Sequence, residues 1–387
     1  MVREDEIARA CLNIWDRLMR SGAFKFLKPS FYTICAGIVF ALEPLTDHGT
    51  QISPLIECVS IGAGSKCLPQ SSLSSLKGDA IHDSHAEILA RRAFVVWLIS
   101  EMSQMYSQPD YQSLWLLGSD DVKRVSLKPG VSVHLYVSTL PCGDASTWML
   151  ALDQDPTMAA LKDSTPKMTP QPGTTIRGRD NYSAFGALRT KPGRADSSPS
   201  ASMSCSDKIA SWTYLGLQGA LLSPLLEPIY LDTIVIGGQL PELRDQLRTE
   251  CERAFSSRSV SQAPIMGSHS FHIPCVAFTD LVFSHGSGAS MCAESVSWNA
   301  HGKVDVLVNG RLRGQSSKSR STTRPACSRA SLLTQLQPLR NLAGLEAVDT
   351  WQRGKASATD YRTARDWLRS PQGPFWGWVE SAEDRDW

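Results

Sequence analysis

The stretch DSHAEILARRAF, Asp83 to Phe94, holds a histidine, a glutamate two residues on, and an amphipathic run that includes two adjacent arginines. His85-x-Glu87 can be half of a metal site, or simply the polar start of an ordinary helix running from about Ala86 to Met105. A lone His-x-Glu is common, so the metal site stands only if further ligands follow downstream.

Around this stretch the pattern alternates. Residues 5–20 carry Ile7, Ala8, Cys11, Ile14, Trp15 and Leu18 at helical spacing. FYTICAGIVFAL and LIECVSIGAG predict strands, and VSVHLYVSTLPC predicts a strand running into a proline turn. EPIYLDTIVIGG predicts a near-continuous buried strand, followed by the helix PELRDQLRTECERAF with proline at its start. IPCVAFTDLVF, SVSWNA and VDVLVNGRL predict further strands, and the last ninety residues a mostly helical part. Strands alternating with helices define an α/β layered domain. Two segments break the pattern. Residues 155–203 are rich in Pro, Ser, Thr and Gly and predict a long, partly flexible insertion. Residues 313–329 predict a basic, serine-rich loop.

Composition narrows the class. With 387 residues and 42% hydrophobic content the chain can bury a large core. Lys and Arg number 39 against 38 Asp and Glu, so any basic face must be local. Ten scattered cysteines with no tandem Cys-x-x-Cys fit a reduced compartment better than a disulfide framework. The charged N-terminus lacks an apolar signal core, and no run of 18 apolar residues exists. An intracellular enzyme, cytoplasmic or nuclear, with no membrane association and no obligate protein partner is expected.

Zinc deaminases use one His (or Cys) and two Cys as ligands, leave the fourth position open, and move protons with a glutamate that is not a ligand. His85-Ala86-Glu87 supplies the first pair and STLPCGDAS the second ligand, Cys142, at a strand-to-helix junction. The common spacing would put another Cys at 145, where Ala145 stands, and this argues against a cytidine deaminase. MSCSDKIASW offers Cys205 instead, just past the insertion and before another helix. The other seven cysteines read as packed thiols.

GSKC, DSHAEILARR, YVSTLPCGDAS, LRTKPGR, SCSDKIASWTYLGLQGALLSPLLEPIYL and WGWVE together resemble the adenosine deaminases acting on RNA, over nearly the whole chain. The resemblance implies a single deaminase domain over 1–387 with a three-layer, cytidine-deaminase-like core, a mixed sheet with helices on both faces, and a helical C-terminal part. It implies zinc on His85, Cys142 and Cys205, Glu87 as proton shuttle, and hydrolysis of adenosine to inosine in RNA. No duplex-RNA-binding module precedes the domain in this sequence. This and RTKPGR point to the tRNA branch of the family, whose substrate is the adenosine 3′ of the anticodon in alanine tRNA. Editing of duplex or messenger RNA is the alternative, and a non-catalytic relative would have lost Glu87 or a ligand.

In VDTWQRGKASATDYRTARDWL, the residues Trp351, Lys355, Ala358, Arg362 and Arg365 form one helical stripe, which by itself reads as a solvated basic face. The resemblance implies instead a buried inositol hexakisphosphate, gripped by Arg91, Arg92, Lys208, Trp212, Arg329, Trp351, Lys355, Tyr361, Arg365, Trp378, Glu380 and Asp386. Trp351 stands where relatives can have Tyr, Arg365 where they can have Lys, and Ser211 replaces an Arg of that set. Asp83 is placed to support the metal-binding histidine, and the resemblance links Lys191, Asp83 and Lys208 toward the inositol phosphate. It also sets Ser65 and Lys66 near the reacting nucleotide, though GAGSK can equally be a plain turn. Lys162, Lys167, Arg177, Arg179, Arg189, Lys191 and Arg194 make the insertion locally basic and the expected path of the RNA strand, with Arg189 and Arg194 as substrate contacts. Asp196 receives no role.

Overall fold

A computed structural model describes residues 2–22, 30–43, 53–118, 124–152, 173–178, 180–182, 184–191, 198–257, 267–315 and 323–380. One mixed eight-stranded sheet runs through it. Its strands in chain order are β1 (Cys35–Leu42), β2 (Leu55–Ala63), β3 (Val131–Val137), β4 (Thr233–Ile236), β5 (Cys275–Phe278), β6 (Glu294–Asn299), β7 (Val304–Val308) and β8 (Arg311–Leu312). The spatial order is β5-β4-β3-β1-β2-β6-β7-β8. The β3-β4-β5 part is parallel and the rest antiparallel.

The period of two along β1 builds three layers. Cys35 and Val39 face Ile7, Ala8, Cys11 and Trp15 of α1 (Glu4–Arg20). Ala36, Ile38 and Phe40 face Leu89, Phe94 and Trp97 of α2 (Ala86–Ser107), on the side that also carries α3 (Asp144–Leu152), α4 (Cys205–Leu215) and α5 (Arg244–Glu252). Gly62 decides how closely α2 approaches the sheet. A Cβ there would lie 2.2 Å from the Ala86 carbonyl oxygen and 2.3 Å from the Ala90 nitrogen, so only glycine lets the first turn of α2 rest on β2.

Three sequence expectations need adjustment. EPIYLDTIVIGG pairs only over Thr233–Ile236, and IPCVAFTDLVF only over Cys275–Phe278. Apolar runs are buried without being strands where, as at Ile229, the backbone bonds to a loop instead. The helical part begins at Arg329, with α6 (Arg329–Leu342), α7 (Trp351–Ala356) and α8 (Thr359–Leu368). The described part of the 155–203 stretch is not featureless. Thr175–Arg177 pairs in parallel with Leu188–Thr190, and residues 200–204 are buried.

Candidate active site

All three expected ligands sit at helix starts. His85 is the residue before α2, Cys142 lies two residues before α3, and Cys205 is the first residue of α4. Helix N-termini favour thiolates, because unpaired N–H groups point toward them. Ser204 caps α4, its side chain accepting from the Asp207 N–H. Ser206 locks the Cys142 segment onto α4, its N–H donating to the Cys142 carbonyl at 3.0 Å. These capped, cross-linked turns bring together residues 63 positions apart in the chain.

One ligand atom from each of His85, Cys142 and Cys205 lies within 4.8 Å of the others. The sulfurs of Cys142 and Cys205 stand 3.7 and 3.6 Å from His85 Nδ1. Tetrahedral zinc with Zn–S of about 2.3 Å and Zn–N of about 2.0 Å would set these atoms about 3.6 Å apart, so the donor set fits a zinc ion by type and by spacing. Glu87 is 3% exposed. Burial raises its carboxyl above the ordinary range and the Cys142 sulfur pushes the same way, against His85 and Lys191. Such a carboxyl is poised to hold a proton. Ser65 pairs with His85 across a short antiparallel ladder, and its buried hydroxyl lacks a hydrogen-bond partner. Lys66, its neighbour, is exposed.

Asp83 ties the site together. Its Oδ1 accepts from the His85 N–H at 3.1 Å. Its Oδ2 accepts from Lys191 Nζ at 2.7 Å, Lys208 Nζ at 2.5 Å and Ser202 Oγ at 2.7 Å. Burial would raise this carboxyl, but Lys191 and Lys208 outweigh it and hold Asp83 well below the usual carboxylate range. Lys191 Nζ also donates to Cys205 Sγ at 3.2 Å. Ser202, which the sequence offered no reason to select, completes this network.

Beyond Lys208 lies a cavity of about 640 Å³. Arg91, Arg92, Lys208, Trp212, Arg329, Trp351, Lys355, Tyr361, Arg365, Trp378 and Glu380 line it, with Asp83 at its wall. Every expected member of the phosphate-binding set within the described residues is thus in one place. Asp386 lies outside the described residues, as do Arg194, Asp196, Lys162, Lys167 and Arg179. The basic stripe lines the cavity, with Lys355 and Arg365 half-buried and Arg362 still exposed, because the chain breaks between α7 and α8 and both short helices fold over the cavity. Arg362 and Arg369 join the lining; Arg362 lay on the stripe, whereas Arg369 follows α8 and only the fold brings it in. Arginines lie over the tryptophan rings, Arg91 on Trp212 at 5.4 Å, Arg329 on Trp351 at 5.6 Å and Arg369 on Trp378 at 4.7 Å. Eight Lys and Arg face two carboxylates, Asp83 and Glu380. Arg91 is half-buried, its Nε is enclosed without a partner, and burial lowers its pKa. Buried cations need anionic partners. The lining therefore fits a compact polyanion.

Arg189 is a correction. Expected on the RNA strand, it is 1% exposed. Its guanidinium donates to the carbonyls of Gly178, Asp180, Asn181 and Ala184. It closes the turn before β-paired Leu188 and offers nothing to a phosphate. Lys191 is likewise interior.

Three side chains that could hold a metal beside a buried glutamate, on an α/β sheet, match the pattern of a hydrolytic nucleobase deaminase. The comparisons with known proteins agree. The adenosine-deaminase (editase) domain model matches residues 60–382, and the chain belongs to that family. It is similar to "tRNA-specific adenosine deaminase 1" of Schizosaccharomyces pombe, 34% identical over 59% of this chain and 56% of that protein. The Saccharomyces cerevisiae protein of the same name is 30% identical over 84% of this chain and 79% of its own length. "Double-stranded RNA-specific editase Adar" of Drosophila melanogaster is 34% identical over 47% of this chain and 27% of its own. The matched region thus spans about half of the fission-yeast relative. Among the described residues, no helix is long and apolar enough to cross a membrane.

Proposed function

We propose that the chain converts adenosine to inosine in tRNA by hydrolysis, at the adenosine 3′ of the anticodon of alanine tRNA, with zinc on His85, Cys142 and Cys205. The observation that carries this is the convergence of the three ligands and buried Glu87 at one point. Bound there, zinc would supply the Lewis acidity that makes water nucleophilic near neutral pH. Glu87 takes the proton that water releases as its oxygen bonds to C6, and delivers it to the purine nitrogen N1. A further proton passes through the same carboxyl to the departing amine, so water and adenosine leave as inosine and ammonia. Ser65, with its unengaged hydroxyl beside His85, is suited to hold the ribose. Asp83 fixes the His85 backbone, and the carboxylate itself is fixed by Lys191 and Lys208.

The cationic cavity supports inositol hexakisphosphate as a second resident group, which would neutralise its arginines and lysines and bind only the folded chain. The tRNA target rests on the names of the yeast relatives and on the matches reaching across most of this chain. Duplex RNA, named for the fly editase, is the alternative substrate. Incubating the protein with unmodified alanine-tRNA transcript and sequencing for adenosine-to-inosine change, with zinc measured on the same sample, decides. Conversion of the single adenosine with about one zinc per chain, as a three-ligand site requires, supports the proposal. Zinc without conversion, and conversion of a duplex, would replace the tRNA assignment. Absence of both zinc and conversion would overturn the ligand assignment.

A further inference from the structure

One exposed aromatic ring is held far more firmly than a surface side chain needs. Phe185 is 48% exposed. Single exposed apolar residues are ordinary, but the segment around this one is fixed from three sides. Arg189 ties down the carbonyls of Gly178, Asp180, Asn181 and Ala184 just ahead of it. The Gly186 N–H, just after it, donates to Asp144 Oδ1 at 2.9 Å. Arg253, anchored on Asp144 Oδ2 at 3.2 Å, places its guanidinium carbon 4.6 Å from the ring centroid. Asp144 stands two residues after Cys142, and the Arg189 N–H bonds to Asp207, two residues after Cys205. The ring is thus latched to both thiol-bearing segments, with a cation against it and about half its surface open to solvent.

We infer that Phe185, backed by Arg253, is a stacking platform for an unpaired RNA base flanking the reacting adenosine. This rests on the RNA-deaminase reading above. Sequence-tolerant RNA sites combine aromatic faces with cations, because every base has a π-face while a paired base has both faces already covered by its neighbours in the stack. A rigid, pre-positioned ring loses little entropy on binding. Phe185 would therefore select an unpaired flank over a continuous duplex and leave base identity open. Neither thiol segment carries another exposed large aromatic among the described residues, so the position has no evident substitute.

The test uses an RNA hairpin with the target adenosine in its loop, and a series with an abasic site at each neighbouring loop position. Affinity is measured by fluorescence anisotropy on the zinc-loaded chain, and KM and kcat by inosine formation. For the wild type, one abasic position should weaken binding about five- to hundredfold, the range for one stacked base. Phe185→Leu should bind intact hairpin weaker by a similar factor, and the same abasic site should cost it nothing more. Phe185→Trp should bind like wild type, and kcat should stay within about twofold in both variants. Melting temperature and zinc content equal to wild type exclude a folding defect. Wild-type affinity in Phe185→Leu, or an undiminished abasic penalty in that variant, overturns the platform. Flank-dependent binding without inosine formation by the wild type would overturn the deaminase reading and leave the platform standing. No binding of any hairpin by the wild type overturns both.

Discussion

Arg189→Met removes a charge from the interior while keeping an unbranched apolar stem. The guanidinium donates at 3.0, 2.7, 2.9 and 3.0 Å to the carbonyls of Gly178, Asp180, Asn181 and Ala184. Hydrogen bonds to charged groups contribute roughly 1.5–3 kcal/mol each. All four come from one group, and the acceptors sit on a turn where water can replace part of the donor. The net loss should then be about 3–5 kcal/mol, below the simple sum. Unfolding entropy of about 2.1 cal/mol/K per residue gives roughly 0.8 kcal/mol/K for a chain of 387 residues. The melting temperature should therefore fall by about 4–6 °C. Calorimetry measures this, and the salt dependence of RNA binding separates the two possible roles. A residue that neutralises a phosphate lowers the slope of log K against log salt by about one when removed. The slope should be unchanged in Arg189→Met. An unchanged melting temperature with a slope lowered by about one would refute the internal role and restore Arg189 to the RNA strand.

Glu87→Gln should leave zinc content and melting temperature near wild type and lower kcat by at least about 10²–10⁴, the range for a lost general acid–base; turnover within tenfold of wild type would remove Glu87 from the mechanism. Asp83→Asn leaves two ammonium groups around one neutral amide, and losing the acidic partner of a buried pair costs about 3–5 kcal/mol. Chemical denaturation should show that loss together with reduced zinc retention, and a variant as stable as wild type would contradict the shared-carboxylate arrangement. Glu101 accepts from Ser113 Oγ at 2.6 Å, Tyr111 OH at 2.9 Å and His301 Nε2 at 3.1 Å. Burial would raise it, but these partners outweigh burial and lower its pKa. A lowered folded pKa gives stability that is complete above the unfolded value, about 4.3, and is lost as pH falls through the folded value. Glu101→Gln should therefore lower stability at pH 7 and flatten its decline below about pH 4.5; an unchanged acid limb would refute this. Denaturing the purified chain in acid and assaying phosphate should release several phosphates per chain if a polyanion fills the cavity, and none would empty that assignment.

The cluster of His85, Cys142 and Cys205 was legible because each of the three lies at an element boundary that can be recognised locally. His85 precedes a clear amphipathic helix, Cys142 follows a β-branched strand and a proline, and Cys205 opens a run capped by Ser204. Their meeting was not legible from spacing, since the Cys142–Cys205 gap of 63 residues is closed by helices packing against one another. The cavity residues were identifiable by resemblance, whereas periodicity alone turned the same stripe outward. A helical wheel cannot show that the chain breaks at Ser357–Ala358 and folds its cations inward. Arg189 misled for a related reason. In a Pro- and Ser-rich segment a cation reads as solvated, and nothing local reveals that a turn with four inward carbonyls needs a five-donor side chain to close it.

Lys208 makes the metal site and the cavity one electrostatic unit. Its ammonium lines the cavity and also donates to Asp83, which holds the backbone N–H of His85. Lys191 donates to the same carboxylate oxygen and to the Cys205 sulfur. Asp83 and Glu380 are outnumbered by the eight cations of the lining, so the proposed polyanion would share cations with Asp83. With the proposed polyanion in the cavity, Lys208 would be shared between two anions, and Lys191 would keep its bonds to Asp83 and to the Cys205 sulfur. With the cavity empty, repulsion among the eight cations would favour opening of α7 and α8, and Lys208 would be drawn wholly to Asp83. The histidine would feel that change through two hydrogen bonds and the Cys205 thiol through three. A polyanion bound in the cavity would in this way reach His85 and Cys205 through Lys208, Asp83 and Lys191, and the C-terminal helices would serve the chemistry by holding it.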